Sequence, residues 1–276
     1  MSFKIKEKLH HSFSGEEMDA LVRGYDYLGD VAIIALPDEL LHRKREIAQA
    51  ILEGNKRIRL VARKISHYSG EFRTASLEKI GGTGGFTTLH REYGIKLHID
   101  PENVYFSPRS GAERYRIAQL VAPGEHVLVM FSGAGPLALM IAHHSKVGAI
   151  TGVEKNSAAH RLAVMNVEAN RYSDTIKCIQ GDVKDIVPGL SREFDRVVMP
   201  LPFDGERYLD LALGALRRRG VLHYYAFQYK GKFGEARREV EEACCKAQRH
   251  LMDTGIFQCG HVGPRRYRVC VDATIR

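Results

Sequence analysis

The sequence predicts an α/β fold: a doubly wound, mostly parallel sheet preceded by a small α+β domain. Three observations predict it. After residue 108, short apolar runs alternate with amphipathic helical stretches, the order that lays helices on both faces of a parallel sheet. The stretch "HVLVMFSGAGPLALMIAHH" (126–144) passes from an apolar strand through a small-residue loop into a helix. Before residue 108 there is one strong helical pattern, set among short strands and a Gly/Ser/Thr-rich stretch at 66–91. The expected division is a lead-in at 1–21, a small α+β domain at 22–107 and the larger α/β domain at 108–276.

In order, "YDYLGDVAIIAL" (25–36) reads as a strand with a turn at Gly29-Asp30. "PDELLHRKREIAQAILEGN" (37–55) is a helix with Pro first, acidic residues in the first turn and Gly54-Asn55 as its stop. "IRLVARKI", "GIKLHIDP" and "NVYFSPR" read as further strands. In the second half "GAERYRIAQLV" is helical, "HVLVMF" a strand and "PLALMIAHHS" a helix. "VGAITGVEKN", "IKCIQGD" and "FDRVVMPLP" are strands, with the helix "SAAHRLAVMNVEANR" between the first two. The helix "RYLDLALGALRRRG", the strand "VLHYYAF", the helix "GKFGEARREVEEACCKAQRHL" and the strand "YRVCVDATI" complete the order.

Hydrophobic residues make up 44% and charged residues 27%, and no apolar run approaches the ~18 residues of a membrane span. The N-terminus lacks the apolar stretch of a secretory signal, so a cytoplasmic location is expected, with no membrane partner. Five cysteines, an odd number without CxxC spacing, imply reduced thiols and no metal site. Lysine and arginine number 41 against 33 acidic residues, for a net charge of +8. The basic clusters "RIRLVARK" (57–64), "RRR" (217–219) and "PRRYR" (264–268) suit an anionic partner.

The glycine loop carries the chemistry. Gly133 and Gly135 let a ligand approach the backbone at the end of a strand. A third glycine is missing from the dinucleotide position, and no GKS or GKT follows, so neither a dinucleotide fingerprint nor a P-loop is present. Glu154 ends the next strand, about 20 residues on, where a carboxylate can accept both ribose hydroxyls. Asp182 ends a third strand, where it can accept from an adenine amino group. Glycines, Glu and Asp on successive strand ends form the layout of S-adenosylmethionine-dependent methyltransferases. The competing reading makes Glu154 and Asp182 helix-cap carboxylates.

The blocks "SGEFRTASLEKIGG", "VYFSPRSGAERYRIAQLV", "VLVMFSGAGPLAL", "GVEKN", "VVMPLP", "GVLHYY" and "GPRRYRVCVD" resemble the archaeal-eukaryotic tRNA methyltransferases that act on guanosine 37 N1. They also resemble the sister enzymes of wybutosine synthesis, which transfer the aminocarboxypropyl group of the same cofactor. The resemblance implies a Rossmann-like class I methyltransferase sheet, S-adenosylmethionine as cofactor and the anticodon region of tRNA as partner. It implies that Arg73 neutralises charge on guanine O6 and that Glu113 takes the N1 proton. Tyr105, Arg109, Arg114, Phe131 and Asn156 are implied around the cofactor, with Pro200, Pro202 and Arg265 on the substrate side. A monomer is expected.

The implied chemistry is coherent: N1 carries a proton, so alkylation needs a base, and the charge pushed to O6 needs a fixed cation. Plainer readings make Arg73 a solvated arginine, Glu113 a helix-start carboxylate paired with Arg116, and His143 and His144 solvated residues at a helix end. The chain departs from the family at Met199-Pro200-Leu201-Pro202, where the methyl branch has Asn-Leu-Pro or Asn-Pro-Pro, and at Val129, where an Asp is usual. The extra N-terminal tRNA-reading domain of the full-length methyltransferases is expected to be absent. That points towards aminocarboxypropyl transfer, whereas Ser107-Pro108-Arg109, Gly135-Pro136 and Pro264-Arg265 point to methyl transfer. Methyl transfer is the favoured reading. The alternatives are aminocarboxypropyl transfer, a catalytically decayed tRNA-binding protein, and a methyltransferase for a small molecule or protein.

Overall fold

A computed structural model describes residues 5–21, 24–66, 70–190 and 194–276. Position 22, the expected start of the α+β domain, and Ser69 of the "SGEFR" block lie outside them. The chain divides into two compact units, Met1–Glu92 with Lys96–Pro108, and Tyr93–Ile95 with Arg109–Arg276. No helix of the described residues is long and apolar enough to cross a membrane.

In the first unit, α1 (Ile5–Leu9) and α2 (Gly15–Ala20) precede β1 (Asp26–Leu28), β2 (Val31–Ile34), α3 (Lys44–Gly54), β3 (Leu60–Lys64) and β4 (Leu77–Gly82). The order β1-β2-β3-β4 is antiparallel, parallel, antiparallel, with α3 crossing between the parallel pair. β5 (Thr88–Glu92) and β6 (Ile95–Ile99) form a separate two-stranded sheet. Within the expected lead-in, residues 5–21 are folded into the first unit. Ser14 and Glu17 close a capping box on α2, and Ile5, Leu9, Phe13 and Leu21 are buried in one core with Ile34, Ile47, Ile51 and Val61. "NVYFSPR" is not a strand: Tyr105 lies outside regular structure, before a 3₁₀ turn at Pro108–Ser110.

The basic cluster near residue 60 is partly a brace. Arg59 donates from Nε to Asp30 Oδ2 at 2.9 Å, and from its two Nη groups to the carbonyls of Thr83, Gly85 and Thr87 at 2.9–3.0 Å. Its five donors suit this task of tying a loop.

The second unit runs α4 (Gly111–Gln119), β7 (His126–Met130), α5 (Pro136–His144), β8 (Ala149–Glu154), α6 (Ser157–Ala169), β9 (Ile176–Gln180) and α7 (Val183–Ile186). It continues with β10 (Phe194–Met199), α8 (Leu209–Ala215), β11 (Leu216–Tyr229), α9 (Gly234–Lys246), β12 (Leu251–Gly263) and β13 (Arg266–Ile275). Among the described residues the sheet order is β12-β13-β11-β10-β7-β8-β9. β11, β10, β7, β8 and β9 are parallel, and β13 and β12 join antiparallel. The chain winds outward from β7 to β9 and returns to β10 beside β7, so a topological switch point lies between β7 and β10, where open α/β sheets bind ligands. Leu128, Met130, Val197, Met199, Leu222 and Tyr224 pack with Leu213 of α8 and Val240 of α9. The two-residue strand period sends the intervening positions, Val129, Val198, His223 and Tyr225, to the opposite face.

Two expectations change here. The helix read through 207–220 ends at Ala215, and Leu216 to Gly220 begin β11. The Arg249 guanidinium explains the early stop: it donates to the carbonyls of Leu213, Leu216, Arg217 and Arg218, satisfying the helix end and the strand start together. β12 was not anticipated. Three register shifts against β13 break its side-chain alternation.

Candidate active site

The loop after β7 is built by backbone geometry. Phe131, Gly133 and Gly135 all have positive φ, +56°, +58° and +79°. Gly135 is the N-cap of α5 and Pro136 follows inside the first turn. Ser132 N donates to the Val153 carbonyl at 3.0 Å, and the buried Asn166 donates from Nδ2 to the Ala134 carbonyl at 3.0 Å. A Cβ built on Gly133 would meet nothing within 4 Å, whereas one on Gly135 would touch Ala163. Gly133 thus borders open space, as a loop against which a ligand lies must.

Glu154 ties the loop to the neighbouring strand end. Its Oε2 accepts from Gly133 N and its Oε1 from Asn156 N, both at 2.7 Å. Burial pushes this carboxyl up, and the backbone donors of Asn156, Gly133 and Lys155 oppose the shift. Three backbone donors on about four acceptor positions leave the carboxylate room for a further hydroxyl. Asn156 is spent as the cap of α6, its Oδ1 accepting from Ala158 and Ala159 N. Asp182 caps α7 by accepting from Lys184 N at 2.9 Å, and Lys155 Nζ lies 3.0 Å from its Oδ2. The Lys184 amide bond, followed by Lys155, holds the Asp182 carboxyl below its usual range against burial. Phe131 packs edge-to-face on Tyr208 at 5.0 Å.

Glu113, in the first turn of α4, is 8% exposed. Arg116 clamps it, Nε to Oε2 and Nη2 to Oε1, each at 2.8 Å, and the Tyr225 hydroxyl donates to Oε1 at 2.6 Å. The pairing with Arg116, one of the two readings open from sequence, is present, and the carboxylate is held in a polar cluster. Burial pushes the Tyr225 hydroxyl well above its ordinary range, so it stays a donor. Tyr225, His223 and Asp272 were missed from sequence, because "HYYAF" and "YRVCVDATI" read as core strands. A polar side chain at alternate positions of a buried strand was the available signal. His223, Cys270 and Asp272 place ligand-type atoms within 4.8 Å of one another. Asp272 Oδ1 already accepts from Cys270 Sγ, His223 Nδ1 and Arg116, His223 Nε2 faces Arg196, and the Arg116 and Arg196 guanidinium groups oppose a cation.

The other expected site residues are distributed. Arg109 is exposed just before α4 and Arg114 is 9% exposed within it. Pro200 and Pro202 follow β10, where the Leu201 amide bonds the Met199 carbonyl and the Pro202 carbonyl accepts from Phe227 N at 3.2 Å. Neither proline offers a side-chain hydrogen bond. Arg265 is exposed at φ +56° in the β12–β13 turn. Arg73, half-buried at φ +50°, and the exposed Tyr105 belong to the first unit. His143 and His144 are not simply solvated: His143 Nδ1 lies 2.9 Å from Tyr172 Oη and His144 Nε2 2.7 Å from the Tyr93 carbonyl.

Residues 88–252 match the model of the TRM5/TYW2 methyltransferase domain, and residues 5–85 that of the TYW2 N-terminal domain. The chain is 32% identical over 253 residues to tRNA (guanine(37)-N(1))-methyltransferase Trm5b of Pyrococcus abyssi, covering 91% of this chain and 74% of that protein. It is 31% identical over 222 residues to the tRNA(Phe) (4-demethylwyosine(37)-C(7)) aminocarboxypropyltransferase of Pyrococcus horikoshii, covering 80% and 78%. Among solved structures, aTrm5 in complex with tRNALeu superposes with a TM-score of 0.86 at 28% identity, covering 99% of this chain and 78% of that one.

Proposed function

Because the chain belongs to the TRM5/TYW2 methyltransferase family, we propose that it modifies the purine at position 37 of tRNA with S-adenosylmethionine, by methyl transfer to guanine N1. The observation that carries the cofactor reading is the Gly133–Glu154 bond beside open space at Gly133. A bare loop tied to a strand-end carboxylate fits a ligand with a ribose diol and a flexible amino-acid arm. When bound, S-adenosylmethionine supplies a methyl group activated by its sulfonium.

The residues then divide the work. Gly133 and Gly135 leave the loop bare, Phe131 bounds it, and Glu154 receives the ribose with its remaining acceptor capacity. Asn156 acts by fixing the start of α6, and Asp182 by ordering the third strand end. Glu113 takes the N1 proton as the bond at N1 forms, and the charge left on the base is met at O6 by Arg73. Tyr105, Arg109 and Arg114 border cofactor and base. Pro200 and Pro202 shape the base side without side-chain hydrogen bonds, and Arg265 meets tRNA phosphate near the anticodon. The protein acts as a monomer.

One observation favours a second reading, aminocarboxypropyl transfer to a wybutosine precursor: residues 5–85 match the TYW2 N-terminal domain. The two readings separate in one experiment. Unmodified tRNA carrying guanosine 37, and tRNA carrying the tricyclic precursor, are incubated with S-adenosylmethionine labelled on the methyl or on the carboxyl. Methyl label in 1-methylguanosine supports the proposal. Carboxyl label on the precursor, without methyl transfer, replaces it, and cofactor binding without transfer to either RNA leaves a tRNA-binding protein.

A further inference from the structure

Behind Glu113 lies a buried chain of charges that the chemistry above does not use. The Arg116 guanidinium presents two sides to two carboxylates. Its Nε and Nη2 clamp Glu113, while its Nη1 donates to Asp272 Oδ2 at 2.6 Å and its Nη2 to Asp272 Oδ1 at 3.3 Å. Its flat face lies over the Phe257 ring, 4.3 Å from the centroid. Asp272 sits directly across the β11–β13 ladder from His223, whose Nδ1 is 2.6 Å from Asp272 Oδ1. On the far side His223 Nε2 lies 2.6 Å from Arg196 Nη1, and Arg196 is clamped by Glu125 at 2.7 and 2.9 Å.

These contacts settle the protons. A guanidinium only donates, so His223 Nε2 is the acceptor and the ring proton sits on Nδ1, directed at Asp272. His223 is therefore neutral. Arg196 and Glu125 cancel, and the remaining group of Glu113, Arg116 and Asp272 carries one net negative charge. With Arg116 alone, Glu113 would be neutralised, and a proton added to it would leave an uncompensated buried cation. With Asp272 sharing the guanidinium, the same proton brings the group to neutrality.

We infer that Asp272 is a positioning residue for the transfer reaction: held by the Nδ1–H tautomer of His223, it fixes Arg116 against Glu113 and supplies the charge that lets Glu113 accept a proton. The inference rests on the reading of Glu113 as the proton acceptor. Asp272 does not touch the substrate. It acts through Arg116.

The test is a double-mutant cycle on the full chain with tRNA carrying guanosine 37, reading kcat and KM separately. Asp272→Asn lowers kcat by about tenfold or more, leaving KM for tRNA within about twofold, and adds no further loss in a Glu113→Gln background. Arg116→Lys keeps the charge but not the fork, and lowers kcat comparably, which covers the case of a poorly folding Asp272 variant. Equal losses from Asp272→Asn in both backgrounds, or no loss in either variant, overturn the inference. A Glu113→Gln protein of full activity refutes instead the reading of Glu113. Histidine ¹⁵N spectra give a readout independent of turnover: His223 is protonated on Nδ1, and an Nε2–H tautomer contradicts the chain.

Discussion

The Tyr225 hydroxyl donates to Glu113 Oε1 at 2.6 Å, joining the middle of β11 to the first turn of α4. The adjacent Tyr224 points to the other face of the sheet, where its hydroxyl donates to Glu239 at 2.7 Å. Tyr225→Phe removes a donor from a buried carboxylate and leaves Arg116 as its clamp. Stability should fall by about 2 kcal/mol, measured by urea unfolding, and kcat by about tenfold. Tyr224→Phe should leave kcat unchanged, so equal effects of the two would sever Tyr225 from the site.

Gly133 separates a steric role from a backbone one. Its φ of +58° makes alanine there cost about 1 kcal/mol, but the new Cβ meets no protein atom within 4 Å. Gly133→Ala should therefore lose at least ~tenfold in S-adenosylhomocysteine affinity by calorimetry, beyond what so small a stability loss explains. Unchanged affinity would mean that the ligand does not lie along this loop.

His223 gives the fold an acid sensitivity. Burial, with the Arg196 and Arg116 charges, holds its pKa below the usual value against the opposing pull of Asp272. The native state therefore binds fewer protons than the unfolded chain between the lowered value and about pH 6.5, and stability rises with pH across that window. It is fully present above about pH 6.5 and is lost as the pH falls towards the lowered value. His223→Gln should flatten the acid limb of stability measured by urea unfolding between about pH 7 and about pH 5, with His160, also lowered by burial, leaving a residual slope. An unaltered slope would show that His223 does not titrate with unfolding.

Arg265 tests RNA contact without disturbing the fold. It is exposed at φ +56° in the β12–β13 turn, so Arg265→Gly relieves backbone strain while removing a charge. tRNA binding should weaken and the slope of log K against log salt should become shallower by about one unit, with no loss of stability. An unchanged salt slope would remove Arg265 from the RNA surface.

The part of the fold visible in sequence is the part with local periodicity. β7, its glycine loop and α5 follow from an apolar run, positive-φ glycines and Pro136, and Glu154 from its place at the next strand end. β12 was hidden because its bulges destroy alternation. The end of α8 was hidden because the group that terminates it, Arg249, lies more than 30 residues away. Arg59 read as part of an anion-binding cluster because its carbonyl partners exist only after folding. The Glu113–Arg116 pair, three residues apart on one helix, was legible. Asp272, 156 residues from Arg116, was not, because its meeting with Arg116 depends on the antiparallel return of β13 beside β11.

The most direct test is single-turnover transfer to tRNA carrying guanosine 37 at saturating cofactor, comparing the wild-type chain with Glu113→Gln and identifying the nucleoside by mass spectrometry. The account predicts 1-methylguanosine from the wild type and a rate at least ~100-fold lower in the variant, with cofactor affinity retained. A variant within a few-fold of wild type, or a product bearing the aminocarboxypropyl group, would contradict it.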